Sequence, residues 1–270
     1  MIAWLETAAL TLFPACCIIC GQRYRSGDFQ DLCPACVAQL PFRRQTERHM
    51  QVLSPAMTRQ LSATDYFQAR NIRASVFFHY RSDLPRLVRG LKFHQHPEYA
   101  LPLGQLMAQR LALDIQTEKL TFDMGGPATW LLLPIPLSER RMAERGYNQA
   151  ELLARPLSHR LGFELRTDIL FRHRSTERQS EMEGTDRLMN VNGAFKVNTQ
   201  CLRQRKVLLL DDVLSSGSTL YSAARTVLAA GAAQVHCLAL SSPRRDISDW
   251  TPENRHDRHL PDSAGGLAVI

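Results

Sequence analysis

One segment constrains the fold more than any other. Val207-Leu208-Leu209-Leu210 is an unbroken apolar run, Asp211-Asp212 follows it, and Val213-Leu214-Ser215-Ser216-Gly217-Ser218-Thr219 leads into Leu220, Ala223, Ala224, Val227 and Leu228. The run has strand length without alternation, as in a strand buried on both faces, and the spacing after Thr219 is that of a helix stripe. A buried strand, a tight turn and a helix start form one unit of an α/β sheet, whose ligands bind outside the carboxyl ends of the strands. Backbone N–H groups at such a helix start, with the hydroxyls of Ser215, Ser216, Ser218 and Thr219, make an anion cradle around Gly217. The carboxylates of Asp211 and Asp212 repel phosphate, so their natural partners are neutral hydroxyls or a divalent cation. A ribose 5-phosphate, with vicinal hydroxyls at one end and phosphate at the other, suits both halves.

Two other nucleotide sites fit less well. A Walker B strand would need a Walker A, and the chain contains no Gly-Lys pair. A dinucleotide fold would need G-x-G-x-x-G, and no G-x-G is present. An inert N-capped helix after a strand leaves the acid pair without a purpose.

The rest of the chain supports an α/β class with a parallel sheet. Leu84, Leu87, Val88 and Leu91 form a helix stripe, as do Leu103, Leu106, Met107 and Leu111. Trp130 to Pro136 reads as a buried strand, and Ala150 to Leu161 as a helix closed by Gly162. Asp168 to Phe171 and Val235 to Leu240 are further strands, and 68–80 is β-rich. Residues 173–193 are polar and predict a long loop, a length more common at functional sites than in plain connections.

A second signal precedes this domain. Cys17-x2-Cys20 and Cys33-x2-Cys36 form two knuckles, the pattern of a closed tetrahedral zinc site. Disulfides or a redox C-x-x-C are the rivals, weakened by the doubled pair and the missing secretory signal. Cys16 leaves the first ligand open, because Cys16-x3-Cys20 also chelates. Residues 2–19 are mostly apolar, but Glu6 and Pro14 interrupt them and no Lys or Arg occurs before Arg23. That matches neither a signal peptide nor a spanning helix, so a cytoplasmic chain with a short apolar helix over 1–13 is expected.

The 270 residues carry a net charge of +7, and only four of the 33 cationic residues are lysines. Arginine grips phosphate oxygens in bidentate fashion, so the balance favours anionic partners and decides nothing about fold. Magnesium is expected to accompany a diphosphorylated ligand. Charge is spread rather than concentrated, so single-stranded DNA binding has only soft support, with Tyr24, Phe29 and Phe42 as stacking candidates.

Together these motifs resemble the ComF/GntX family. Residues 207–219 resemble the fingerprint for phosphoribosyl pyrophosphate (PRPP) of type I phosphoribosyltransferases. Leu91-Lys92-Phe93, Pro134-Ile135-Pro136 and Arg145-Gly146-Tyr147-Asn148-Gln149 resemble further family motifs. Arg172, Thr176, Gln179, Arg187, Asn190 and Phe195 match its spaced polar pattern. Ser215 and Ser216 stand where the family usually has threonines, which keeps the hydroxyls.

The resemblance implies a phosphoribosyltransferase-like parallel sheet flanked by helices over 68–243, behind a zinc module over 1–45. By composition a connector over 46–67 joins them, and 244–270, on which the resemblance says nothing, is expected to be a disordered tail. The resemblance implies that Asp211 and Asp212 hold the ribose 2- and 3-hydroxyls, that Ser215 to Thr219 wrap the 5-phosphate, and that Arg172, Gln179 and Arg187 meet the diphosphate. It also implies a part in DNA uptake during natural transformation. Three functions follow as expectations: a PRPP-binding protein of the uptake machinery, an active phosphoribosyltransferase on an unidentified acceptor, or a zinc-dependent single-strand DNA-binding accessory with a vestigial site.

Overall fold

In the computed structural model the described residues are 15–24, 29, 31–93, 95–117, 130–172, 194–198 and 202–244. The strands are β1 (Ala15–Cys16), β2 (Arg23–Tyr24), β3 (His49–Gln51), β4 (Arg73–His79), β5 (Trp130–Pro134), β6 (Glu164–Leu165), β7 (Leu170–Arg172), β8 (Phe195–Val197), β9 (Lys206–Val213) and β10 (Gln234–Ser242). The α-helices are α1 (Pro34–Gln39), α2 (Pro55–Thr58), α3 (Ala63–Ala69), α4 (Leu84–Phe93), α5 (Ala100–Gln116), α6 (Glu139–Arg145), α7 (Gln149–Leu161) and α8 (Ser218–Ala229).

Six strands form one sheet in the order β3-β4-β10-β9-β5-β6. All neighbours run parallel except β3, which is antiparallel to β4 at the edge. Successive residues of β9 point to opposite faces, and both faces are covered. Leu208 and Leu210 pack with Leu132, Leu238 and the apolar stripes of α4, α5 and α7. Val207 and Leu209 pack with Leu131, Leu133, Ala239 and α8. Burial on both sides explains why these strands read as continuous apolar runs. Helix α5 lies against α7 at Gly104, where a Cβ would come within 2.4 Å of Pro156 Cγ and 2.7 Å of the Leu153 carbonyl oxygen.

The structure departs from the sequence expectations in three places. Strand β9 runs on through the acid pair to Val213, because β10 continues to pair with it at Asp211 and Val213. The strand expected over 168–171 forms at Leu170–Arg172, in a separate antiparallel pair with β8. The stretch 46–67 contains β3, α2 and most of α3, so part of it belongs to the main sheet. Its elements are three to seven residues long, too short to show a hydrophobic period. The expected helix over 1–13 and the loop over 173–193 lie outside the described residues, as does the tail beyond Arg244. No helix among the described residues is long and apolar enough to cross a membrane.

The cysteine region shares the core of one sheet face. Cys17, Phe29, Leu32, Cys33 and Leu40 are buried together with Phe77, Phe78 and Leu84. Arg86 on α4 donates to the carbonyl of Ile19 at 3.0 Å and to that of Ile18 at 3.4 Å.

Candidate functional site

The turn after β9 is held open by long-range contacts. Gly217 has φ +86°, a left-handed conformation, and a Cβ there would lie 1.8 Å from the Val52 carbonyl oxygen. Only glycine fits both demands. The Ser54 amide donates to the Ser216 carbonyl at 3.0 Å. Arg244 donates to the carbonyl of Ser215, to that of Gln51 at 2.9 Å and to that of Val52 at 2.7 Å. Burial, and then the nearby Arg43 charge, lower the Arg244 guanidinium to about 10. Arg43 in turn donates to the Arg244 carbonyl at 2.6 Å. Helix α8 starts at Ser218, so its first amides have no partner within the helix and lie beside the Ser216 and Ser218 hydroxyls, which are 3.0 Å apart. Thr219 is partly exposed on the same turn.

Asp211 and Asp212 lie two residues and one residue before the end of β9, beside this cradle. Asp212 is buried and forms an ion pair with Lys92, Nζ to Oδ2 at 2.8 Å. The Asp212 amide donates to Asp211 Oδ1 at 2.8 Å. Burial, followed by the Asp212 charge, pushes the Asp211 carboxyl up to about 7. Arg145 and Arg172 face the pair. Burial and then Arg141 lower both guanidinium groups, while Asp212 opposes that shift at Arg145 and Asp211 opposes it at Arg172. Arg172 also lies 5.5 Å from the Phe195 ring centroid.

The segment 145–149 organises this corner residue by residue. Gly146 closes α6 with φ +77°. Tyr147 donates to the Leu91 carbonyl at 2.8 Å and so fixes the end of α4, which carries Lys92. Asn148 caps α7 and donates to the Ile135 carbonyl at 3.0 Å. Gln149 accepts from Arg145 at 2.9 Å. Lys92, Phe93, Arg141, Glu144 and Arg145 line a pocket of about 340 Å³.

The second cluster is built from sulfur. The thiol sulfurs of Cys17, Cys20, Cys33 and Cys36 lie within 4.8 Å of one another, with Cys20 and Cys33 3.9 Å apart. A zinc ion with bonds of about 2.3 Å spaces tetrahedral sulfurs at about 3.8 Å. Burial raises the Cys17 thiol, but the amides of Cys33, Cys20 and Ile19 outweigh it and bring the group down to about 6. Burial and the neighbouring sulfurs push Cys36 up. Four sulfurs gathered this closely are a donor set a divalent cation completes. Cys16 is exposed and outside the group.

The structure therefore brings together Asp211, Asp212 and Ser215 to Thr219, and places Arg172 within electrostatic reach. Gln179 and Arg187 lie outside the described residues, as do Thr176 and Asn190. Two of the three stacking candidates are committed to packing. Phe29 is buried in the core, and Phe42 lies 4.7 Å from Phe78 with Arg110 over its ring. Tyr24 is half-buried and donates to the Phe29 carbonyl at 3.2 Å. Sequence reasoning missed the role of Lys92 beside Asp212, although lysine is rare in this chain, and it placed Arg244 in a disordered tail. No local signal marks an arginine that clamps carbonyls from residues 51, 52 and 215.

Comparisons with known proteins show what the chain is similar to. A family model described as "Phosphoribosyl transferase domain" matches residues 145–262. "DNA utilization protein YhgH" of Salmonella typhi is 32% identical over 161 residues, covering 59% of this chain and 68% of that protein. "Competence protein F" of Haemophilus influenzae is 30% identical over 165 residues, covering 60% of this chain and 69% of that protein. Among solved structures, the glutamine PRPP amidotransferase from B. subtilis, complexed with ADP and GMP, is 16% identical with a TM-score of 0.33. That similarity covers 51% of this chain and 25% of the other.

Proposed function

This chain belongs to the ComF family, and on that premise we propose that the end of its β9 binds PRPP, or another ribose 5-phosphate ligand, in the service of DNA uptake. Asp211 and Asp212 accept the 2- and 3-hydroxyls of the ribose. The α8 amides and the hydroxyls of Ser215, Ser216, Ser218 and Thr219 surround the 5-phosphate. Arg172 meets the diphosphate, with Gln179 and Arg187 of the segment 173–193 as its partners. Magnesium arrives on that diphosphate, since Lys92 already occupies one oxygen of Asp212. Zinc holds the four cysteines and has a structural part, as four thiolates leave no open position.

The observation that carries this reading is the carboxylate pair set beside an anion cradle at one strand end, within reach of Lys92, Arg145 and Arg172. The role in DNA uptake is supported by the names of the relatives, a DNA utilization protein and a competence protein.

Titration calorimetry of zinc-loaded protein with PRPP and magnesium tests the site. Micromolar binding, about −8 kcal/mol, is expected, and it should be lost in Asp212→Asn, which keeps the side-chain shape. A wild-type protein blind to PRPP would overturn the reading.

A further inference from the structure

Phe93 ends α4 with 66% of its surface exposed, the largest exposure among the large apolar side chains described. It follows Lys92, whose ammonium contacts Asp212 at 2.8 Å, and the two side chains line one pocket. Its place is fixed from two sides. The Leu91 carbonyl accepts from Tyr147. The Arg145 guanidinium, itself held by Gln149, lies 5.3 Å from the ring centroid. Arg141 and Glu144 complete the pocket around the ring, and Glu144 is tied to the exposed Arg140 at 2.9 Å.

A phenylalanine this exposed adds little to the core, yet the Arg145 guanidinium is set against its ring and Tyr147 fixes the helix end that carries it. A guanidinium over an aromatic ring polarises and orients it, leaving a flat apolar surface for a planar ligand to stack on. The rim offers a donor in Arg141 and an acceptor in Glu144, which suits a ligand with polar groups around a flat edge. An ammonia or aliphatic amine ligand would need no such surface.

We propose that Phe93 is the stacking platform for a nucleobase, held in the pocket of Lys92, Arg141, Glu144 and Arg145 beside the ribose site. The inference rests on the ribose 5-phosphate reading of the adjoining turn. The base belongs either to a mononucleotide or to a DNA strand, and the two sources share the stacking chemistry.

The affinities of ribose 5-phosphate and of AMP, GMP, CMP and UMP, measured by calorimetry, isolate the contribution of the base. At least one nucleotide should bind roughly 5- to 100-fold more tightly than ribose 5-phosphate, the range of base–aromatic stacking. Phe93→Ala should erase that preference and leave ribose 5-phosphate binding unchanged, while Phe93→Trp should keep it. A preference that survives Phe93→Ala overturns the platform. A second arm uses the extra tryptophan of Phe93→Trp as a reporter, with wild-type emission subtracted. Quenching by mononucleotides or free nucleobases, or only by a dT oligonucleotide, supports the platform and identifies the source of the base. If ribose 5-phosphate does not bind at all, the ribose reading of the turn fails and this arm alone decides the platform. Unchanged tryptophan emission with every probe overturns it, by itself where ribose 5-phosphate does not bind and otherwise together with equal affinities for ribose 5-phosphate and all four nucleotides.

Discussion

The two candidate sites are built in opposite ways. The cysteine cluster takes all four donors from one short stretch, Cys17 to Cys36, brought together by two knuckle turns. The carboxylate site takes its backbone from Asp211 to Thr219, but its shape comes from Val52, Ser54 and Arg244 and its cations from Lys92, Arg145 and Arg172. A local site needs a bound ion to stabilise it, whereas a distributed one is stabilised by the packed fold around it. Helix α4 is the link between them, since Arg86 grips the first knuckle turn and Lys92 reaches Asp212.

That contrast is open to test, starting with the largest expected effect. Cys33→Ser should abolish stoichiometric zinc and unfold the knuckles, forfeiting part of the ~10–16 kcal/mol that structural zinc supplies to small modules. Native mass spectrometry and limited proteolysis read the result. If PRPP binding survives at full strength, α4 does not couple the sites.

Gly217→Ala comes next. It places a Cβ against the Val52 carbonyl at a positive φ, and left-handed strain alone costs about 1–2 kcal/mol. PRPP affinity should fall more than about tenfold, with zinc content unchanged. Loss of zinc in this variant would break the comparison from the other side.

Arg244→Met should follow, destabilising the protein by about 2–3 kcal/mol in urea unfolding, because it leaves the carbonyls of Gln51, Val52 and Ser215 without their donor. PRPP affinity should weaken with it. An unchanged affinity would mean that Gly217 and Ser54 set the turn unaided.

The smallest effect is expected at Asp211. Its folded-state pKa is raised to about 7, above the unfolded value, so the folded chain keeps a proton that the unfolded chain releases. Stability therefore declines as pH rises from about 4 to about 7, and the decline ends above the folded-state value. Asp211→Asn should remove that decline, giving the variant a melting-temperature advantage of a few degrees at pH 8 that vanishes near pH 4. The effect is held to a few degrees because the Asp211 side chain keeps some contact with solvent, which screens it. Parallel melting curves across that range would remove this cause.

Much of the fold was legible because its signals are local. Buried parallel strands leave unbroken apolar runs, which marked β5, β9 and β10, and the stripes of α4, α5, α7 and α8 have the helical period. Paired C-x2-C knuckles carry their geometry in their spacing. The acid pair and hydroxyl turn specify hydrogen-bonding groups in order along one strand and one helix start. The short edge strand β3 was hidden, because three residues between two small helices carry no period, and its place in the sheet depends on β4.

The sequence by itself determined the fold class, the sulfur cluster and the backbone of the carboxylate site, since each rests on neighbours in the chain. Only the tertiary structure placed Lys92 against Asp212, left Phe93 open beside it, buried Phe29 and turned Arg244 into a clamp. Those contacts join residues far apart in sequence. Which long side chain reaches which partner is settled by how helices and strands pack, and local periodicity contains no record of it.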